Sequence, residues 1–428
     1  MFRKYKFITL PKGGKLAYTK NTISKTTSVE IVFDCGARYD TIPGLAHFTE
    51  HMFFTGTKTL TKEQVSKKYF DFMNVNAFTN SRNIAFTGNV FTNEFADYLS
   101  TVATLINEST FSQSNIDKEI PVVQQEIARS ADNFKRKANE FYMYCLSNGD
   151  VYKNRVLGNE ESVASIKSKH VKNYVKKFFV ANNCWIYVSS PMNFSKVKKL
   201  VIDNLENKLN VNETLPQIPL FYGSVKNPTF YEIKYEDINK AYLFLGFNFN
   251  RKYEDVNFKY KFGVVTDMIN DYSEGVLKHL RLNKSLTYSA NFDATYDDKS
   301  SIVQFRTECD KKNINEIIET LAQYLKDLLK NGFTEEQLKK AKRDYDYSIA
   351  YQEPRTGRLM DKLYNFKFYG KILNQKAIRK LIKNITIEEC NEMFKEVFAK
   401  PIVNIAIYGN VKEKDVLSKQ EFEQTFNF

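Results

Sequence analysis

Four histidines serve all 428 residues of the chain, and two of them, His47 and His51, stand four apart with Glu50 between them in GLAHFTEHMFFTG. The apolar spacing predicts a helix over 42–56, opened by TIPG and stopped at Gly56. At about 100° per residue, Leu45, Phe48 and Met52 share one face, and His47, Glu50 and His51 share the opposite one. Packing and chemistry thus fall on different sides of one helix. Side chains at i and i+4 are neighbours, the spacing two imidazoles need to grip one zinc ion. Glu50 then lies beside the metal, placed to take a proton from zinc-bound water. A lone histidine on a helix is more often a packing or surface residue, but an H-x-x-E-H pattern arises by chance in only about one such chain in several hundred.

A zinc hydrolase needs a third protein ligand and an open fourth position. The segment IDKEIPVVQQEIARSADN offers Glu119 and Glu126, seven apart and so about 20° from each other around a helix. Val122, Val123 and Ile127 are expected to face the core. Pro121 lacks a backbone donor, which predicts that this helix starts or bends there.

The elements around these residues repeat. A chain of this length exceeds one ordinary core and suits two domains of about 200 residues each. Three of the nine prolines, Pro216, Pro219 and Pro228, fall in PQIPLFYGSVKNP, which marks a linker over 214–229 between domains at 1–213 and 230–428. Each half begins with β-patterned segments, SVEIVFDCGARYD and AYLFLGFNFN. Each continues with a helix, an alternating strand (NAFTNSRNIAFTGNV, TYSANFDATYDD) and long amphipathic helices. Each ends on helix, short turn and apolar strand, as in SIKSKHVKNYVKKFFVANNCWIYVSS and LIKNITIEECNEMFKEVFAKPIVNIAIYGN. Both periods together indicate an α+β domain duplicated in tandem. HFTEH has no counterpart in the second half.

Composition narrows the function classes. Hydrophobic residues make up 43% and aromatics 14%, enough to bury a real interior. No stretch approaches the roughly 18 apolar residues of a membrane span. The N-terminal MFRKYKFITLPKGGKLAYTK reads as a hairpin turning at Gly13-Gly14, not as a signal peptide. Five scattered cysteines (35, 145, 184, 309, 390) without paired spacing point to a reducing compartment, the cytoplasm by default. The net charge of +13 is dispersed among acidic residues, as on a solvated face, and no nucleic-acid motif accompanies it. No nucleic acid and no membrane are therefore expected as partners.

GARYDTIPGLAHFTEHMFFTGT resembles the signature of the insulinase, pitrilysin and mitochondrial-processing-peptidase family, zinc metallopeptidases with an inverted H-x-x-E-H motif. The resemblance implies one Zn2+ per chain held by His47, His51 and Glu126, with Glu50 as general base and Glu119 supporting the site. NAFTNSRNIAFTGN is similar to the family's substrate-binding edge strand, which implies that Asn76, Ala77 and Phe78 pair with an extended peptide as an added strand. LRLNKSLTYS resembles the family segment whose arginine and tyrosine, here Arg281 and Tyr288, come from the inactive half and reach the substrate and the developing oxyanion. The implied fold is two tandem α+β domains, each a mostly antiparallel sheet packed with helices, forming one half of a clamshell. The implied activity is zinc-dependent endopeptidase cleavage of unfolded peptides in a chamber between two half-shells. One chain supplies one half-shell, so the resemblance implies a homodimer in which Arg281 and Tyr288 serve the partner's zinc. The alternative is a non-catalytic subunit of a peptidase-like complex. Such subunits typically lose zinc ligands, whereas this chain keeps all three and the base. The glycine-rich presequence-binding loop of the mitochondrial enzyme has no equivalent, so a presequence processor is not expected.

Overall fold

The computed structural model describes residues 5–72, 74–149, 155–216, 229–249, 255–296, 301–352 and 375–428. Most of the linker expected over 214–229 lies outside the described residues. The chain divides into two compact units, each built on one sheet with its own core. Both are α+β.

The first unit holds 5–133 and 155–216. Its strands are β1 (Tyr5–Thr9), β2 (Lys15–Lys20), β3 (Thr26–Phe33), β4 (Val75–Thr79), β5 (Ile84–Phe91) and β6 (Cys184–Ser190), in the order β1-β2-β6-β3-β5-β4. All pairings are antiparallel except β2 with β6. The hairpin joining β1 and β2 turns through Gly13 at φ 92°, a backbone conformation that glycine adopts without a Cβ clash. Alternation directs Val29, Ile31 and Phe33 of β3 into the core with Ile84, Phe86, Ile186 and Val188. The α-helices described within 1–213 are α1 (Leu45–Met52), α2 (Lys62–Phe70), α3 (Phe95–Glu108), α4 (Gln113–Ala131), α5 (Phe134–Leu146), α6 (Glu160–Ala164), α7 (Ser168–Phe178) and α8 (Phe194–Asn204).

Three local expectations are corrected. NAFTNSRNIAFTGNV is not one strand but the hairpin β4–β5. Asn80 makes the turn: its Oδ1 accepts from the N–H groups of Arg82 (2.7 Å) and Asn83 (2.8 Å), an Asx turn that ends the first strand. The helix bearing Glu119 and Glu126 starts at Gln113, where Ser112 caps it by accepting from Asn115 N–H at 3.2 Å. Pro121 therefore lies inside α4 instead of opening it. Val123 is buried and Ile127 partly so, but Val122 is exposed.

The second unit carries β7 (Tyr231–Tyr235), β8 (Ala241–Phe249), β9 (Thr287–Tyr296), β10 (Ser301–Cys309) and β11 (Ile402–Gly409), in the order β7-β11-β8-β10-β9. Here the last strand, β11, inserts beside the first, β7, as a parallel pair, the counterpart of β6 beside β2. Read from β2 onward, the first sheet has the same order, so the duplication seen as sequence layout is a duplication of topology. This unit also takes α5, which comes from within the first half of the chain. Tyr142 of α5 stacks on Phe244 with ring centroids 5.0 Å apart, and its hydroxyl donates to Asn404 Oδ1 at 3.2 Å. Gly246 makes room for it: a Cβ there would meet the Tyr142 hydroxyl at 2.3 Å. Among the described residues no helix is long and apolar enough to cross a membrane.

Candidate metal centre

Helix α1 has eight residues, too few to be stable alone. Leu45, Phe48 and Met52 are buried and anchor it to the core, as their spacing predicts. It is shorter than 42–56 because Gly44 enters at φ 89° and the chain leaves α1 through tighter turns, with Phe54 N–H donating to the His51 carbonyl at 3.0 Å. Gly44 offers no capping side chain. Asp40 supplies one instead, accepting from Gly44 N–H at 3.1 Å and Ala46 N–H at 2.9 Å. Burial pushes the Asp40 carboxyl well above the usual range, and these backbone donors oppose that rise.

Across the helix from its anchors, His47 and His51 meet Glu126 of α4. Glu126 Oε2 lies 3.6 Å from His47 Nε2 and 3.5 Å from His51 Nε2, and all three donor atoms lie within 4.8 Å of one another. A tetrahedral zinc with bonds of about 2.0–2.1 Å separates its ligands by roughly 3.4 Å. The spacing and the two-imidazole, one-carboxylate donor set therefore fit a zinc ion with an open fourth position.

The groups behind these three fix their orientation. His51 Nδ1 stands 3.1 Å from Glu119 Oε1, which turns Nε2 toward Glu126. Of the two histidines that Glu119 might orient, the structure selects His51. The other oxygen of Glu119 receives Lys62 Nζ at 3.0 Å. Burial lowers the His51 pKa, but hydrogen bonding to Glu119 and Glu126 outweighs it and lifts the ring to about 9 when no metal is bound. Burial pushes Glu119 up, and His51 and Lys62 bring it below its ordinary value. Glu50 projects beside this group, and its Oε2 accepts from Thr79 Oγ1 at 2.5 Å. Burial raises the Glu50 carboxyl, with Glu126 adding to the effect and Thr79 and His51 opposing it. A raised carboxyl brings a base nearer to neutral operating pH.

Asn76, Ala77 and Phe78 lie on β4, which among the described residues pairs only with β5 and so forms an edge of the first sheet. Thr79 ends that strand and touches Glu50, so the edge runs to Glu50. Arg281 and Tyr288 belong to the second unit. Arg281 sits in a π-helical turn, Lys278–Asn283, and Tyr288 on β9. The structure brings these two together: the Arg281 guanidinium lies 4.2 Å from the Tyr288 ring centroid and 5.7 Å from that of Tyr272. Asp40, Lys62 and Thr79 were not marked by the sequence. Lys62 and Thr79 act through contacts 57 and 29 residues away, Asp40 caps a helix whose N-cap position is a glycine, and no periodicity distinguishes Lys62 among 63 basic residues.

Residues 15–158 match the family described as insulinase (peptidase family M16), and residues 165–345 match the peptidase M16 inactive domain. The chain belongs to this peptidase family. It is similar to an uncharacterized zinc protease of Rickettsia felis, 24% identical over 410 residues that cover 90% of this chain and 92% of the relative. It is similar also to the uncharacterized zinc protease YmxG of Bacillus subtilis, 24% identical over 417 residues, covering 94% and 96%. Its fold is similar to that of the first half of the periplasmic protease PqqL of Escherichia coli, with a TM-score of 0.81 at 16% identity over 99% of this chain and 97% of that one. Zinc protease chemistry is thus the character of the family.

Proposed function

We propose that the chain is a zinc-dependent metalloendopeptidase that cleaves unfolded peptides laid along β4. The observation that carries this reading is the convergence of His47, His51 and Glu126 beside a Glu50 tethered to the end of an edge strand. His47, His51 and Glu126 would hold the metal, with Glu119 orienting His51. Bound zinc supplies Lewis acidity, polarising the scissile carbonyl and activating water near neutral pH. Glu50 takes the proton of the attacking water and returns it to the leaving amine. Asn76, Ala77 and Phe78 pair with the substrate backbone, so extended conformation counts for more than side-chain identity. Arg281 and Tyr288 hold the substrate carbonyl and stabilise its developing charge. We further propose a homodimer enclosing the substrate, with this pair serving the partner's site. Five buried cysteines, none in a disulfide, support a reducing compartment such as the cytoplasm.

The test is hydrolysis of an unstructured quenched-fluorescent peptide mixture by zinc-loaded protein beside Glu50→Gln. The parent should cleave, a chelator should stop it, and zinc should restore it. Glu50→Gln should retain one zinc per chain and lose about 10²–10⁴-fold in kcat. Zinc binding without cleavage by the parent would favour a non-catalytic subunit, and no zinc binding would overturn the reading.

A further inference from the structure

We infer that Lys62 is a positioning residue of the metal centre, holding Glu119 in the plane from which it orients His51; this rests on the zinc-site reading above. Glu119 is 5% exposed, and its two oxygens have different partners: Oε1 faces His51 Nδ1 at 3.1 Å and Oε2 faces Lys62 Nζ at 3.0 Å. A carboxylate tied at one oxygen still turns about its last side-chain bond. Tied at both, its plane is set, and with it the direction from which the imidazole N–H is received. Among the described residues Lys62 and His51 are the only basic partners of Glu119. A histidine that ligates a metal is neutral, which leaves Lys62 as the one cation facing this buried carboxylate.

The local fold is built to deliver Lys62. Between α1 and α2 the chain is tied to the end of α3: Thr57 bridges Ser109, and Lys58 N–H donates to the Glu108 carbonyl at 2.9 Å. Thr57 Oγ1 then accepts from Leu60 N–H at 3.0 Å. Thr61 caps α2 in a reciprocal box with Gln64, its own N–H donating to Gln64 Oε1 at 2.9 Å. Lys62 is the first residue of that helix, so both its backbone and the start of its side chain are fixed toward α4. An ion pair between two exposed side chains contributes little. Here one end is buried and bonded to a histidine at the metal site, so the pair transmits orientation.

The experiment measures zinc affinity by competition with a chromophoric chelator for the parent, Lys62→Met, Lys62→Arg and a control on the same helix, Lys67→Met. Lys62→Met should bind zinc about ten-fold more weakly, at the low end of the range for groups behind metal ligands. Lys62→Arg, which keeps a cationic donor, should stay within about three-fold of the parent, and Lys67→Met should match it. With ¹⁵N-labelled histidine, of which the chain has four, the His51 Nδ1–H resonance should persist in zinc-loaded parent and Lys62→Arg and broaden in Lys62→Met. Parent-like affinity and resonance in Lys62→Met would overturn the inference and leave the zinc site standing. Equal loss in Lys62→Met and Lys62→Arg would overturn it too, and failure of the parent to bind zinc would sink both readings. Circular dichroism confirms that each variant is folded, and if Lys62→Met is not, the arginine variant decides.

Discussion

At the scale of single residues, small tethers hold two carboxylates of the candidate site. Thr79 donates to Glu50 Oε2 at 2.5 Å, so one oxygen of the proposed base is held. The same threonine ends β4, whose edge would receive substrate. Replacing Thr79 by Val keeps the shape and removes a hydrogen bond to a charged group. The expected result is a fall in kcat of about ten-fold, with KM little changed. Thr79→Ser should recover most of the loss. Unchanged kcat in Thr79→Val, measured by steady-state cleavage of the quenched peptide, would show that the contact does not orient the base.

At the scale of elements, short pieces of structure are held by side chains that reach forward along the chain to receive their first N–H groups. Asp40 does this for α1, and Asp271 does it in the second unit. Asp271 Oδ1 accepts from the N–H groups of Ser273 and Glu274, both at 2.9 Å, and Oδ2 receives Lys340. Burial works to raise this carboxyl, but Lys340, the Ser273 hydroxyl and the two backbone donors bring it down to about 2. The folded pKa lies below the unfolded one. The stabilisation is therefore present above about pH 4 and is lost as pH falls toward 2. Asp271→Asn should cost about 2 kcal/mol at neutral pH. Thermal melts should show the gap to the parent closing between pH 5 and pH 2, and a gap independent of pH would refute the assignment.

At the scale of the whole molecule, two units share one strand order, yet only the first carries the histidine pair. The second carries Arg281 stacked on Tyr288. A division of labour between copies predicts complementation. Glu50→Gln and Arg281→Ala should each be nearly inactive alone. In the homodimer proposed above, mixing the two variants one to one with subunit exchange should recover about a quarter of parental cleavage, because half the dimers would then contain one intact pairing. No recovery after verified subunit exchange would place Arg281 in the service of its own chain's zinc.

Much of this was legible in the sequence because it is local. The i, i+4 spacing of His47 and His51 places two imidazoles side by side on any helix, and the seven-residue spacing of Glu119 and Glu126 puts two carboxylates on one face, two turns apart. Alternation and helical periodicity likewise marked the repeated α+β layout. Other features are set by contacts between distant parts of the chain. Lys62 meets Glu119 across 57 residues, His51 meets Glu119 across 68, and Thr79 meets Glu50 across 29. Tyr142 reaches Asn404 across 262 and docks α5 on the second sheet. Sequence periodicity reports which face of an element is apolar, but not which distant element that face will meet. Only tertiary packing decided which histidine meets Glu119, what holds Glu50, and on which sheet a helix of the first half comes to rest.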